Sequence, residues 1–215
     1  MKILFKLTSR SRPQRFLETI DNILLNVSSD CDFKILCSLD LDDTSMTSLP
    51  MPNDKRITYV FGSSKNKIDA INRDMEAGGD WDILINMSDD MRFTFKDFNK
   101  TIEDSFKLGT DLCLHLPDGN QNERLITLAI LGRKYYERFN YIYHPSYKSL
   151  WCDVEMTEVA KSLGKYMYVP VNVFRHMHPA FGLAPNDAQY QHTESFFHED
   201  EITYNRRKES GYDTK

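Results

Sequence analysis

WDILINMSDDM, residues 81–91, is an apolar run that ends on two adjacent carboxylates, Asp89 and Asp90. A short apolar run bounded by polar residues is typical of a buried strand. Two like charges directly after such a strand repel each other unless a cation lies beside them. A turn or a helix cap is the ordinary alternative, because Asp is common in both.

Segments that read as strands alternate with helical or loop segments through the first half of the chain. The predicted strands are 2–7, 33–43, 56–62, 81–87 and 111–116. The helices between them include one that begins at Pro13, one over 63–79 and one over 95–109. This alternation predicts an α/β fold with a mostly parallel, Rossmann-like central sheet and helices on both faces. Right-handed crossovers place the carboxyl ends of the strands at one edge, where ligands bind.

The second half of the chain is less regular. We predict a strand and a short helix over 123–139, an aromatic loop over 140–153 and a helix over 154–164. A strand over 165–174 follows, which Pro170 places at an edge of the sheet, and then one helix around 187–209. Residues 1–185 are predicted to form one domain, and residues 186–215 a C-terminal helical extension of it.

Composition excludes several classes of protein. The 215 residues carry a formal net charge of −5, with no long run of Lys or Arg, which argues against nucleic acid as a partner. No apolar run reaches the length of a transmembrane segment, and no signal peptide is evident. The four cysteines form no C-x-x-C pair, which indicates free thiols and a cytoplasmic protein.

Six motifs, in order, give the chain a resemblance to the GT-A glycosyltransferases, in particular to the family 2 type. The resemblance spans residues 1 to about 185. The motifs are FKLTSRSRPQRFLETIDNIL (5–24), CSLDLDD (37–43), GSSKNKIDAINRDM (62–75), NMSDDM (86–91), LWCDVEMTEVAKSLG (150–164) and RHMHP (175–179).

The resemblance implies a metal-dependent, inverting glycosyltransferase. Such an enzyme moves a sugar from a nucleotide-sugar, expected here to be a UDP-sugar, to a hydroxyl of a glycan, a lipid-linked or another acceptor. Asp90 would hold Mn²⁺ or Mg²⁺ together with His178 or His176, with His178 slightly preferred. Met87 stands where the family's metal motif commonly has its first Asp, which departs from the pattern.

The resemblance also assigns the remaining site residues. Asp153 is the expected catalytic base, with Glu155 as the alternative, and the aromatic loop before them would offer a platform for a sugar ring. Acids at a helix start are also favoured by capping and by the helix dipole, so a purely structural role stays open for both. The residues expected to bind the donor are Thr8, Ser9, Arg10, Arg12, Asp40, Asp42, Lys67, Asn72 and Asp89.

Two other functions remain open from the sequence. The missing first Asp suggests a non-catalytic module that binds a nucleotide or glycan on the same fold. A sugar-phosphate nucleotidyltransferase is the other alternative, although that class usually carries a Gly-rich signature near its first strand, which LTSRSRP (7–13) lacks.

Overall fold

Two sheets organise the chain in the computed structural model, which describes residues 1–212 and 214. Residues 213 and 215, at the end of the predicted C-terminal extension, lie outside the described residues. The main sheet has seven strands in the order β3-β2-β1-β4-β7-β6-β8, and β5 pairs with β9 in a small second sheet. The strands are β1 (Lys2–Thr8), β2 (Asp32–Asp40), β3 (Ile57–Gly62), β4 (Ile83–Ser88), β5 (Met91–Phe93), β6 (Cys113–His115), β7 (Ile130–Gly132), β8 (Tyr166–Tyr168) and β9 (Phe174–His176).

The central part of the main sheet is parallel, as predicted. Strands β3, β2, β1 and β4 run parallel to one another, whereas β7 is antiparallel to both of its neighbours, β4 and β6. Strand β6 is parallel to β8. The carboxyl ends of β1, β2 and β4 therefore meet at one edge, where Thr8 lies between Ser38 and Ser88. This confirms the predicted α/β class and puts the polar ends of these strands together.

Helices cover both faces of the main sheet. They are α1 (Pro13–Asn26), α2 (Thr44–Thr47), α3 (Lys67–Asn72), α4 (Asn99–Ser105), α5 (Arg133–Glu137), α6 (Cys152–Ser162), α7 (Ala188–Glu194) and α8 (Phe197–Ser210). One face of the sheet is covered by an apolar cluster that includes Phe16 and Ile102, and the other by a cluster that includes Ile71 and Val159. Within the described chain, no helix has the length and hydropathy needed to span a bilayer.

The helix predicted over 63–79 is shorter in the structure. Helix α3 begins after Asn66, whose side chain accepts the amide of Asp69 at 2.9 Å. It ends before Asp74, which adopts the left-handed conformation with φ of 65° and interrupts the helical path. A 3₁₀ turn over Met75–Gly78 follows. The break leaves the first turn of α3 at the ligand edge, with Lys67 as its first residue.

Two other segments divide where a single element was predicted. The strand expected over 165–174 separates into β8 and β9, because Pro170 has no amide hydrogen to continue the ladder and the chain crosses to the small sheet. The helix expected over 187–209 separates into α7 and α8. At the break, the Ser195 hydroxyl donates to the carbonyl of His192 at 2.6 Å and satisfies a carbonyl at the end of α7.

Candidate active site

A cavity of about 470 Å³ lies at the carboxyl edge of the parallel strands. The ends of β1, β2 and β4 form its floor, and the first turns of α3 and α6, the end of β9 and helix α7 form its walls. Twelve of the fourteen predicted site residues line it: Thr8, Ser9, Arg10, Arg12, Asp40, Asp42, Lys67, Asp89, Asp90, Asp153, His176 and His178. Asn72 and Glu155 are absent from this lining.

Asp89 is held by neighbours on both of its oxygens. The guanidinium of Arg12 donates to Oδ1 at 3.0 Å, and the hydroxyl of Ser9 donates to Oδ2 at 2.6 Å. Burial raises the pKa of Asp89, and the positive charge of Arg12 partly opposes this effect. The carboxylate therefore ties the loop after β1 to the end of β4 and keeps the cavity floor in place.

Asp90 differs from Asp89 because one of its oxygens is not satisfied. Its Oδ2 accepts the hydroxyl of Tyr190 at 2.7 Å and lies 3.4 Å from Nε2 of His176. Its Oδ1 is buried and accepts no hydrogen bond from any residue among 1–212 and 214. Burial alone would raise the pKa of Asp90, but His176 and Tyr190 outweigh it and hold that pKa well below its ordinary value. Asp90 is thus a fixed, ionised carboxylate with an oxygen available for a ligand.

The two histidines of RHMHP have different surroundings. His176 lies between Asp90 and Asp118, with its Nδ1 3.8 Å from Oδ2 of Asp118. Burial alone would lower the pKa of His176, but Asp118 and Asp90 outweigh it and raise that pKa to about 9. His178 has its ring centre 5.1 Å from that of His176, and its Nδ1 accepts the amide of Ala180 at 3.2 Å. Burial lowers the pKa of His178, and the nearby His176 adds to this.

Residues of the chain could hold a divalent cation at Asp90. The unsatisfied oxygen of Asp90 and the imidazole of His176 are an oxygen and a nitrogen ligand that suit Mn²⁺. Among residues 1–212 and 214, no cluster of three or more His, Cys, Asp or Glu side chains forms a self-sufficient metal site. Mg²⁺ in nucleotide-dependent enzymes is usually held by one or two carboxylates and by substrate phosphates, so a smaller protein ligand set is sufficient for a hard divalent cation.

Arg10 and Arg12, which were expected to bind the donor, are engaged with acids of the protein. Arg10 donates to Oδ2 of Asp40 at 2.9 Å and to both oxygens of Asp42 at 2.7 and 2.8 Å. Arg12 donates to both oxygens of Asp187 at 2.9 and 2.6 Å, in addition to its contact with Asp89. These contacts fix the β1 loop. Oδ1 of Asp40 has no hydrogen-bond partner among the described residues.

Asp153 lines the same cavity as the metal candidates, from the first turn of α6. Trp151, at the N-cap of that helix, has a left-handed backbone with φ of 63°, a conformation that is costly for a bulky residue and that sets the direction in which α6 begins. Burial raises the pKa of Asp153 above its ordinary value, and the Val154 amide and the Lys67 ammonium only partly oppose this. A carboxylate with a raised pKa is a stronger base.

Glu155 does not share the environment of Asp153. It is 4% exposed, and its carboxylate accepts Nε and Nη2 of Arg207 from α8 at 2.8 and 2.9 Å. The hydroxyl of Tyr147 donates to the same carboxylate at 2.6 Å. These contacts hold α8 against α6, so the structure gives Glu155 a place in a buried ion pair outside the cavity lining.

Asn72 acts on the site indirectly. Its Oδ1 accepts the amides of Ile142 and Tyr143 at 2.9 and 3.2 Å, and its Nδ2 donates to the carbonyl of Tyr143 at 2.6 Å. All of these contacts are to the backbone of the aromatic loop. Asn72 therefore positions Tyr143, which lines the cavity, and does not line the cavity itself.

The aromatic loop contributes Tyr143 to the cavity lining. Tyr147 is fully buried, and the ring of Trp151 packs on Phe197 and Tyr204 of α8 at centroid distances of 5.4 and 5.0 Å. The aromatic side chains that line the cavity are Tyr143, Tyr190 and Phe196. Of the aromatic loop that was expected to offer a platform for a sugar ring, Tyr143 lines the cavity, whereas the rings of Tyr147 and Trp151 pack the loop against the helices.

Sequence reasoning missed three residues that contact the predicted site. Tyr190 donates to Asp90, Asp187 pairs with Arg12, and Asp118 lies beside His176. The guanidinium of Arg12 also stacks on the ring of Tyr190, with 3.9 Å between the guanidinium carbon and the ring centre. A signal existed only for Asp118, which stands in the Pro-Asp-Gly turn that follows β6.

No protein-family model matches the sequence, and the comparison with curated proteins gives no match. Solved structures do match the fold. A mannosyltransferase of Pyrobaculum calidifontis, PcManGT, in complex with GDP-Man and Mn²⁺, aligns with a TM-score of 0.62 at 12% identity over 82% of this chain and 57% of its own. S. aureus TarS 1–349 aligns with a TM-score of 0.60 at 11% identity over 81% of this chain and 59% of its own.

A longer TarS structure gives a TM-score of 0.63 at 11% identity and covers 36% of that chain. The chain thus spans less than three fifths of the length of each of these solved structures. Identities this low carry information about the fold alone. The chain has a GT-A-like glycosyltransferase fold, as the resemblance of its motifs predicted.

Proposed function

We propose that the protein is a metal-dependent, inverting glycosyltransferase that moves a sugar from a nucleotide-sugar to the hydroxyl of an acceptor. The observation that carries this proposal is the placement of Asp90 and Asp153 on one cavity at the carboxyl edge of the sheet. The first has an oxygen available for a cation, and the second is a carboxylate with a raised pKa. The shared fold with a mannosyltransferase that holds GDP-Man and Mn²⁺ supports the same proposal.

Asp90 and His176 would hold Mn²⁺ or Mg²⁺. We favour His176 over His178, because Nε2 of His176 faces Asp90 whereas Nδ1 of His178 already accepts a backbone amide. That acceptor role leaves the hydrogen of neutral His178 on its other nitrogen. A bound cation would offset the negative charge that develops on the diphosphate leaving group.

Asp40, held by Arg10, is proposed to contact the nucleobase. Oδ2 of Asp40 already accepts from Arg10, whereas Oδ1 has no hydrogen-bond partner among the described residues and is the oxygen that we propose accepts from the base. The Watson–Crick edge of uracil presents one N–H donor, whereas guanine presents donors on two adjacent nitrogens and suits a carboxylate with both oxygens available. This favours a UDP-sugar over a GDP-sugar.

Asp153 is proposed as the catalytic base. Its carboxylate accepts the proton of the acceptor hydroxyl while that oxygen attacks the anomeric carbon and the bond from this carbon to the diphosphate oxygen breaks. One such displacement inverts the anomeric centre. Lys67 and the other polar residues of the cavity rim would orient the donor, and the acceptor, a glycan, a lipid-linked sugar or another alcohol, would enter beside Tyr143 and Phe196.

The test uses purified protein, Mn²⁺ and a panel of UDP- and GDP-sugars with simple sugar acceptors, and it measures release of the nucleoside diphosphate. Release is expected with UDP-sugars. Asp153→Asn should keep donor binding, measured by calorimetry, and lose about 10²- to 10⁴-fold in turnover, as expected when a general base is removed. Asp90→Asn should lose metal-dependent donor binding.

The matched control is Asp80→Asn, an exposed Asp that pairs with Lys2 away from the cavity. It should behave as the unaltered protein does. Binding of a donor with no release under any condition would show a binding module instead, and formation of pyrophosphate from a nucleoside triphosphate would show a nucleotidyltransferase. Either result contradicts the proposal.

A further inference from the structure

The turn that follows β6 contacts His176 through its backbone and a side chain. The amide of His176 donates to the carbonyl of Asp118 at 3.4 Å, and the side-chain amide of Asn120 donates to the carbonyl of His176 at 3.3 Å. On its other side, His176 pairs with Met91 in the small sheet. His176 is therefore held between the strand after Asp90 and the Asp118 turn.

The side chain of Asp118 is itself immobilised. It is 1% exposed, its Oδ1 accepts the amides of Asn120 and Gln121 at 2.7 and 2.6 Å, and its Oδ2 accepts the hydroxyl of Thr127 at 3.1 Å. These bonds leave Oδ2 beside the imidazole of His176, 3.8 Å from Nδ1. A carboxylate in this position favours a hydrogen on the ring nitrogen that faces it.

We propose that Asp118 is the positioning residue of His176, and that it keeps a hydrogen of the imidazole on Nδ1, so that a cation on Asp90 replaces the proton on Nε2 and binds the lone pair of that nitrogen. This inference rests on the proposed function, since it requires the metal at Asp90 and His176. The arrangement of carboxylate, histidine and metal is a common one, and loss of the outer carboxylate typically weakens metal binding by about 10- to 100-fold.

The neighbouring His178 illustrates the opposite arrangement. Its Nδ1 accepts a backbone amide at 3.2 Å, so in the neutral ring the hydrogen lies on Nε2, which then has no lone pair for a metal. The two histidines are two residues apart and both line the cavity. The group that faces Nδ1 therefore decides which of them can act as a ligand.

The decisive variant is Asp118→Asn. The side-chain oxygen of Asn still accepts the amides of the turn, but an NH₂ group replaces the oxygen that faces His176. This donor favours the tautomer with the hydrogen on Nε2. We expect Mn²⁺ affinity to fall by about 10- to 100-fold, measured from the electron paramagnetic resonance signal of free Mn²⁺ in titrations with Mn²⁺ alone and with UDP or GDP added.

Asp54→Asn is the matched control. Asp54 also accepts a backbone amide two residues on, that of Arg56 at 2.9 Å, but it lies before β3 at the opposite edge of the sheet. It should leave Mn²⁺ affinity unchanged. Asp118→Ser, which keeps a hydroxyl acceptor for the turn, serves as a second variant should Asp118→Asn fold poorly, and it should also weaken Mn²⁺ binding.

Two further readouts separate positioning from a purely structural role. Asp118→Asn should regain nucleotide release when Mn²⁺ is raised to saturation, because only the affinity for the metal is reduced. Adding Asp118→Asn to a His176→Ala variant should cause no further loss of Mn²⁺ affinity. If Asp118→Asn lowers Mn²⁺ affinity equally in the unaltered protein and in His176→Ala, Asp118 does not act through His176 and the proposal is wrong.

The outcomes also separate this inference from the proposed function. If the unaltered protein binds Mn²⁺ and Asp118→Asn binds it equally well, the role of Asp118 is wrong while the proposed function stands. If the unaltered protein does not bind Mn²⁺ with either nucleoside diphosphate, the metal site of the proposed function fails and this inference fails with it.

Discussion

Glu155→Gln is the change that best tests how the structure divides the two acids of α6. The substitution keeps the shape of the side chain but removes the charge that pairs with Arg207. The guanidinium of Arg207 donates to Glu155 at 2.8 and 2.9 Å, and both side chains are less than 10% exposed. The substitution therefore removes a buried negative charge that faces Arg207.

Breaking a buried pair of this kind costs about 3–5 kcal/mol. For a protein of this size, we expect the thermal midpoint to fall by about 10 °C. Urea denaturation followed by circular dichroism gives the free energy of unfolding directly. Below its unfolding temperature, Glu155→Gln should retain most of its turnover, whereas Asp153→Asn should keep its stability and lose turnover.

A double variant provides the control. Glu155→Met combined with Arg207→Met removes both charges, and replacing a buried pair by apolar residues is often neutral or stabilising, so it should recover much of the lost stability. The reasoning is refuted if Glu155→Gln abolishes turnover without lowering the midpoint, because Glu155 would then act in catalysis. An unchanged midpoint together with full turnover would instead show that the ion pair contributes nothing.

Two further predictions concern buried polar groups near the cavity. Tyr190→Phe removes the hydroxyl that donates to Asp90 at 2.7 Å. The free energy of unfolding, measured in urea, should fall by about 2 kcal/mol, as expected for a hydrogen bond to a charged group. An unchanged free energy of unfolding would show that this hydrogen bond does not stabilise the protein. Burial lowers the pKa of Lys6 to about 8 despite the nearby Asp74, so native Lys6 loses its proton at a lower pH than unfolded Lys6, which titrates near 10.5. Over this pH range the unfolded state therefore binds more protons than the native state. The free energy of unfolding of the unaltered protein, minus that of Lys6→Met, should rise by about 2 kcal/mol between pH 8 and 9.5. If this difference is the same at pH 8 and pH 9.5, the lowered pKa is wrong.

The sequence was sufficient for the parallel part of the sheet and its ligand edge, but not for the antiparallel strand β7 or for the division of the predicted strand 165–174 into β8 and β9. Apolar runs that end on polar residues predicted β1, β2 and β4, and parallel pairing then required Thr8, Asp40 and Asp90 to meet. The apolar runs and their polar ends are local features of the sequence, and the right-handed crossover is a general rule for parallel strands. Neither depends on which helix packs against which. The position of Asp153 at the start of a helix was predictable for the same reason.

Only the tertiary structure decided which polar groups are available for chemistry. Asp153 and Glu155 are two residues apart, yet one lines the cavity and the other pairs with Arg207, 52 positions further along the chain. Tyr190 reaches Asp90 across 100 positions. The partner of a buried charge depends on which distant helix covers it, and hydrophobic periodicity carries no information about that choice. The sequence alone therefore located the acids at the edge of the sheet, and packing determined which of their oxygens are used by other residues of the protein.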